Sequence, residues 1–199
     1  HLMTHGFFKA LLFLSAGSVI HAMNHEQNMQ KMGALFKKIP FTGSMMWIGS
    51  LAIIGFPYFS GYYSKESILE NAYFTSSGMA HYAYIVGILT ALLTAFYSWR
   101  LLFLTFHGKP KISKEVYDHI HESPKVMTAP LLILAIGSIF SGIILSDYFI
   151  GDKQDIFWHH VIILSHNAHH HMPFLQTLII KLSVAIGVLL AAFIYFYRE

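Results

Sequence analysis

Apolar residues gather into five long stretches, over about 2–23, 43–73, 82–106, 127–145 and 174–197, with polar segments between them. Each reaches the roughly 20 residues that an α-helix needs to cross about 30 Å of hydrocarbon. In lipid the backbone must satisfy its own hydrogen bonds, so stretches of this length predict helices. The fold class predicted is all-α integral membrane, with about five transmembrane helices. The fourth stretch carries Pro130 in its first turn, where a missing N–H costs little. The second reads Ile53-Ile54-Gly55-Phe56-Pro57-Tyr58-Phe59-Ser60-Gly61-Tyr62-Tyr63-Ser64-Lys65-Glu66-Ser67. Gly55, Pro57 and Gly61 concentrate helix breakers in mid-span, so this helix is predicted to be broken near Pro57. Breaks at membrane depth are tolerated where the freed backbone faces protein or water, and transporters place ion sites there.

Composition agrees with a bilayer setting. Apolar residues make up 55% and charged residues 12%, with a mean hydropathy of +0.52. A soluble domain carries about twice that charge. No cysteine is present, which excludes disulfides, thiolate metal sites and iron–sulfur ligation. The chain opens at His1 inside an apolar run with no signal-peptide pattern before it, so it is expected to be a fragment of a longer protein. The net charge of +3 sits in loops and does not point to nucleic acid. Lys31, Lys37 and Lys38 lie in loop 24–40, Lys109, Lys111, Lys114 and Lys125 in loop 107–126, and Arg198 in the tail. The intervening loops are acidic or uncharged. The excess of lysine in alternate loops puts 24–40, 107–126 and the C-terminus on the cytoplasmic or matrix side. Residues 146–173 are too polar to span and read as an outer loop rich in histidine.

Chemistry concentrates in two places. In the first span His1, His5 and Lys9 recur every four residues and share one helix stripe. An ionisable group at membrane depth costs about 2.5–3.5 kcal/mol by insertion scales, so its presence points to protons, ions or a buried partner. In the second span Lys65 lies two turns beyond Pro57 with Glu66 beside it. A lysine that relays protons must have its pKa brought from about 10.4 toward 7, which burial supplies and a neighbouring carboxylate opposes. The competing readings are structural. The stripe can serve as polar glue between helices, and Lys65 can snorkel from a proline-kinked helix. Lys181, about two turns into the fifth span, and Arg100 are assigned to snorkelling. Trp47, Tyr82, Tyr84, Trp99, Tyr195 and Tyr197 fit interfacial belts or helix packing.

A metalloenzyme reading rests on His1-x-x-x-His5 and His166-x-x-His169-His170, which look like the His boxes of membrane di-iron desaturases. A third box is missing, the inner pair His119 and His121 has the wrong form, and Lys9 would set a cation beside a dication. No metal site is therefore expected from these residues, although the outer loop holding His159, His160 and His169 to His171 suits adventitious metal binding.

The run His1-Leu-Met-Thr-His5-Gly-Phe-Phe-Lys9-Ala-Leu-Leu-Phe-Leu, then Gly17-Ser18-Val19-Ile20-His21, closely resembles the antiporter-like subunits of respiratory complex I, NADH:quinone oxidoreductase. His25-Glu26-Gln27-Asn28 with Lys31-Met32-Gly33 resembles its subunit L / mitochondrial subunit 5 branch. Phe59 to Lys65 resembles the family's broken-helix segment, and Phe106-His107-Gly108-Lys109 the segment after its next helix. The likeness covers most of 1–109, and beyond that only hydropathy and order agree.

The resemblance implies a fragment of an antiporter-like helix bundle, with 1–106 as the second half of a proton-translocation module and 127–199 as C-terminal helices. It implies proton translocation by His1, His5 and Lys9 as axis residues and Lys65 as the terminal lysine, with Glu66 where the family often has Asp. Ser67 departs from an acid sometimes found there, and Gly6 replaces a common Ala. No cofactor is expected in this chain. NADH, FMN, iron–sulfur clusters and quinone are implied in partner subunits, and other membrane subunits, lipid and protons are the implied partners. A bacterial plasma membrane or mitochondrial inner membrane is the implied location. The alternative function is a subunit of a multi-subunit cation/proton antiporter of the Mrp type, which shares the ancestral fold.

Overall fold

A computed structural model describes residues 1–159, 161 and 172–197. The described residues form helices joined by turns, in the order α1 (Leu2–Ala22), α2 (Pro40–Ile54), α3 (Ser60–Phe74), α4 (Gly78–Phe106), α5 (Lys114–His119), α6 (Lys125–Phe149), α7 (Gln154–Trp158) and α8 (Phe174–Ala192). Helices α1, α4 and α6, and the stretch Phe174–Tyr195, are long and apolar enough to cross a membrane. The remaining predicted span is divided between α2 and α3. The short helices α5 and α7 lie in the segments read as loops.

The break in the second span is built by glycine more than by proline. Gly55 takes φ +78° at the end of α2. Its N–H donates to the Ala52 carbonyl and that of Phe56 to the Leu51 carbonyl, at 3.1 and 3.0 Å, the paired closure that a left-handed C-terminal residue allows. Pro57 lies in the short link that follows. The chain then re-enters a helix at Ser60, and Gly61 brings α3 against the end of α2. A Cβ at Gly61 would sit 1.9 Å from the Ala52 carbonyl oxygen. Only glycine permits that approach.

Helices α4 and α8 run parallel. The Tyr84 hydroxyl donates to Gln176 Oε1 at 3.0 Å near their starts, and the Arg100 guanidinium lies 5.5 Å from the Tyr195 ring centroid near their ends. Between these points Gly187 lets α8 approach the Leu92 carbonyl. On the other side of the bundle α1 packs on α2 and α6, and α6 packs on α3. Gly142 of α6 meets the backbone of Ser60 there. Small residues at such crossings let backbones approach where no hydrophobic force acts between helices.

The two lysine-rich loops lie together at one end. Ala34 N–H donates to the His107 carbonyl at 2.9 Å, and the Tyr117 hydroxyl to the Ala34 carbonyl at 2.9 Å. Lys38 pairs with Asp118 at 3.4 Å. Glu122 accepts from the Phe41 amide at 3.0 Å, and from the Thr42 amide and hydroxyl. Its charge thus sits on the orphan donors at the start of α2, where the helix dipole favours an anion. The Thr42 hydroxyl also meets Ser18 Oγ of α1 at 3.0 Å, and Ser18 donates to Ser123 at 2.6 Å. A buried polar tie therefore joins α1, α2 and the segment before α6.

Candidate functional site

The stripe on α1 forms as its spacing predicts. The His1 and His5 rings lie 5.5 Å apart, and His5 meets Phe8 edge-on at 5.2 Å. One turn on, Lys9 is half-buried, with Nζ 5.9 Å from the Phe13 ring centroid. Among the described residues the face of α1 carrying Gly6, Lys9, Phe13 and Gly17 is open, and a Cβ at either glycine meets nothing within 4 Å.

The stripe reaches α3 through a residue that sequence reasoning did not single out. His1 Nδ1 lies 3.0 Å from Ser64 Oγ, and the Thr4 hydroxyl donates to the same oxygen at 2.9 Å. Ser64 and Thr4 are both buried. Ser64 immediately precedes Lys65 in the run after the break, and its small polar side chain beside an ionisable one was the available signal. Phe8, almost fully buried, fills the space between α1 and the start of α3.

Consecutive helical residues point about 100° apart, so Ser64 and Lys65 face different surroundings. Lys65 and Glu66 line a cavity of about 500 Å³ with Tyr62, Trp99 of α4, and Lys181 and Val188 of α8. The break itself contributes Gly55, Phe56 and Pro57 to the same walls. On the opposite flank His1, Thr4, Ser64 and Ser67 line a second cavity of about 500 Å³ with Ser141 and Ser146 of α6 and Trp158. The first cavity is an apolar chamber with three charged side chains in its wall. The second is edged by hydroxyls.

Lys181 is the other residue whose surroundings the sequence did not reveal. Assigned there to snorkelling, its ammonium lies 5.7 Å from the Tyr62 ring centroid, against the Lys65 cavity. Arg100 stacks on Tyr195. Trp47 and Trp99 pack on each other at 4.8 Å and Tyr84 is buried, so these aromatics pack helices together.

Outside the spans, His107 is held among aromatic rings, stacked on Phe36 at 6.2 Å and edge-on to Trp47 at 5.7 Å. This burial lowers its pKa below the ordinary imidazole value. Glu26 is held below the usual carboxylate range by the Asn28 amide first and Lys31 second. Among the described residues no group of three or more His, Asp or Glu side chains is arranged to hold a metal ion. His160, His166 and His169 to His171 of the outer loop lie outside the described residues.

Comparison with known proteins fits this arrangement. Residues 1–94 match the family described as NADH:quinone oxidoreductase/Mrp antiporter, TM. Residues 97–197 match that described as NADH dehydrogenase subunit 5 C-terminus, just over half the chain. The chain belongs to the NADH dehydrogenase subunit 5 family. Among similar proteins, NADH-quinone oxidoreductase subunit L of Rhodobacter capsulatus is 50% identical over 169 residues, covering 79% of this chain and 23% of its own length. NADH-ubiquinone oxidoreductase chain 5 of Dictyostelium discoideum is 52% identical over 151 residues, covering 76% and 22%. That of Metridium senile is 50% identical over 165 residues, covering 83% and 26%. The chain thus spans about a quarter of the length of the curated relatives it matches. The match to the subunit 5 family continues through α6 and α8, where the sequence reading had only hydropathy and order to go on.

Proposed function

We propose that this chain carries the outward half of a proton path in the membrane arm of NADH:quinone oxidoreductase, with quinone reduction in other subunits driving it. The observation that carries this reading is the contact between α1 and the broken helix. His1, in line with His5 and Lys9, reaches Ser64, and the next residue, Lys65, opens onto a cavity at the break. In this reading His1, His5 and Lys9 form the axis, Lys65 is the terminal donor and Glu66 its charge partner. Gly55, Pro57 and Gly61 shape the break that exposes Lys65. Residues 1–106 then form the second half of the translocation module, 107–126 the inner loop, and 127–199 the C-terminal helices with the outer loop 146–173. The open face of α1 beside Lys9 is where the rest of the module would pack.

The protein works in this reading within a bacterial plasma membrane or mitochondrial inner membrane, beside other membrane subunits. Loops 24–40 and 107–126 and the C-terminus face the cytoplasm or matrix, as their lysines favour. The redox groups, NADH, FMN, iron–sulfur clusters and quinone, belong to partner subunits. A chain without cysteine offers no thiolate for a cluster. A cation/proton antiporter of the Mrp type is the alternative, supported by the shared family over 1–94. The match of 97–197 to the subunit 5 family favours the complex I reading.

Lys65→Ala and Lys9→Ala, each introduced into the subunit within the intact complex, test the proposal. Proton uptake into inverted membrane vesicles per NADH oxidised should fall in both. Wild-type pumping in both variants would rule out the relay role.

A further inference from the structure

The cavity beside the break holds two lysines and one carboxylate, and the relay just proposed uses only Lys65 and Glu66. Lys181 comes from α8, which packs along α4 and faces α3 across this cavity. The start of α8 is held at the end of α3 by Glu70, whose carboxylate accepts from the Met172 amide at 2.9 Å, and by Ile180 packed with Leu69.

A snorkelling lysine should carry its ammonium toward the nearer helix end. Lys181 is seven residues from the start of α8, about 10 Å along its axis. Side chains on a helix lean toward its N-terminus, so the outward route is the easy one. The ammonium lies over the Tyr62 ring of α3, on the wall of the cavity that Glu66 also lines. Counted from the Glu70–Met172 contact, Lys181 and Tyr62 stand at nearly one level, about 13 and 12 Å along their helices. The side chain, still partly exposed, therefore reaches across to α3, and Glu66 stands one turn of α3 nearer that contact, on the side toward which the Lys181 stem leans.

Resting on the relay reading, we propose that Lys181 is a positioning residue for it: a cation that holds the Glu66 carboxylate from a second helix. The Tyr62 hydroxyl also hydrogen-bonds Glu66, but a carboxylate whose only cation is Lys65 stabilises the protonated lysine and opposes proton release. A second cation, fixed by α8, gives Glu66 a partner that does not move protons and leaves Lys65 free to lose its own. Two cations around one carboxylate also hold the charge in this cavity at net positive when all are ionised, which favours loss of a proton from the group that can give it up.

The test uses the intact complex with Lys181→Met, which keeps the length of the stem, Lys181→Arg, which keeps the charge, and Lys65→Ala as reference. Proton yield per NADH oxidised is measured in inverted vesicles, and assembly is checked by the amount of complex in the membrane. Lys181→Met is expected to lose as much proton yield as Lys65→Ala, Lys181→Arg to retain most of the wild-type yield, and Glu66→Gln with Lys181→Met to be no worse than Glu66→Gln alone. Wild-type yield in Lys65→Ala would sink the relay reading itself. A defect in Lys65→Ala beside wild-type yield in Lys181→Met would overturn this inference alone and leave Lys181 as a lipid-facing lysine. Failure of arginine to rescue, or losses that add to those of Glu66→Gln, would also overturn it by assigning Lys181 a packing role.

Discussion

Gly61→Ala is the smallest change that separates the geometry of the break from the chemistry of Lys65. The added methyl would stand 1.9 Å from the Ala52 carbonyl oxygen and 3.0 Å from its carbon, both backbone atoms at the end of α2. No rotamer change relieves a clash between a Cβ and a backbone carbonyl, so α3 must shift by about 1 Å or more to restore ordinary contact. Overpacking of this kind costs about 1–3 kcal/mol. Lys65 lies four residues on, on the same face of α3, and must move with it. A misplacement of about 1 Å in a transfer geometry costs on the order of 10²-fold in rate, because donor and acceptor must come within about 2.6–3.2 Å. The assay is proton uptake into inverted vesicles against NADH oxidised, with the amount of assembled complex measured in the same membranes. Gly61→Ala should assemble and lose proton yield. Gly78→Ala, at the exposed start of α4 where a Cβ meets nothing within 4 Å, should match the wild type. Normal pumping in Gly61→Ala would mean that the close crossing of α2 and α3 does not position Lys65, and the argument from the break would fail.

Two further outcomes follow from the loop end of the bundle. Glu122→Ala removes the acceptor for the amides of Phe41 and Thr42, and loss of such a cap should cost about 1–2 kcal/mol; hydrogen exchange in the first turn of α2 should speed up, and unchanged exchange would refute the cap. His107 has a folded pKa depressed by burial, so the unfolded state binds more protons below the ordinary imidazole pKa. The stability that neutral His107 supports is complete above about 6.5 and is lost as pH falls below it toward the folded value. Exchange of the Ala34 amide, bonded to the His107 carbonyl, should rise on acidification beyond its intrinsic pH dependence, and His107→Gln should abolish the extra rise. An identical pH response in the variant would sink the assignment.

The sequence carried the helices and the stripe because both are local. A run of apolar residues long enough to span, and a polar residue every fourth position, depend on nothing beyond the segment that contains them. The break was also legible from Gly55, Pro57 and Gly61 together, but not how they divide the work: Gly55 makes the turn and Gly61 the crossing. Proline announces itself by its chemistry. The role of a glycine depends on what its missing Cβ would meet, here the Ala52 carbonyl, and that is a tertiary fact. Ser64, Lys181 and Glu122 escaped for the same reason. Ser64 matters because α1 delivers His1 and Thr4 to it. Lys181 depends on a chamber between α3, α4 and α8, and Glu122 on the start of α2 some 80 residues earlier. A lysine two turns inside a span looks identical in sequence whether it turns outward to water or inward to a carboxylate.

In the relay proposed above, the arrangement around α3 limits how a proton could pass from the stripe to Lys65. His1 and Thr4 are bonded to Ser64 on one flank, with the hydroxyl-edged cavity beside them. Lys65 belongs to the other flank, with Glu66 and Lys181. A helix places adjacent residues about 100° apart, and Phe8, 1% exposed, fills the crossing of α1 with the start of α3. Transfer therefore needs either a swing of the long Lys65 side chain toward Ser64 or a path around the broken backbone, where Gly55 to Phe59 leave the regular helix. The two routes differ in what they require. The swing depends on the length and freedom of Lys65 and on a Glu66 that does not hold it back, which is where a second cation acts. The backbone route depends on the link at Pro57 and is indifferent to Lys181. A strong effect of Lys181→Met on proton yield accordingly favours movement of Lys65 as the transfer step.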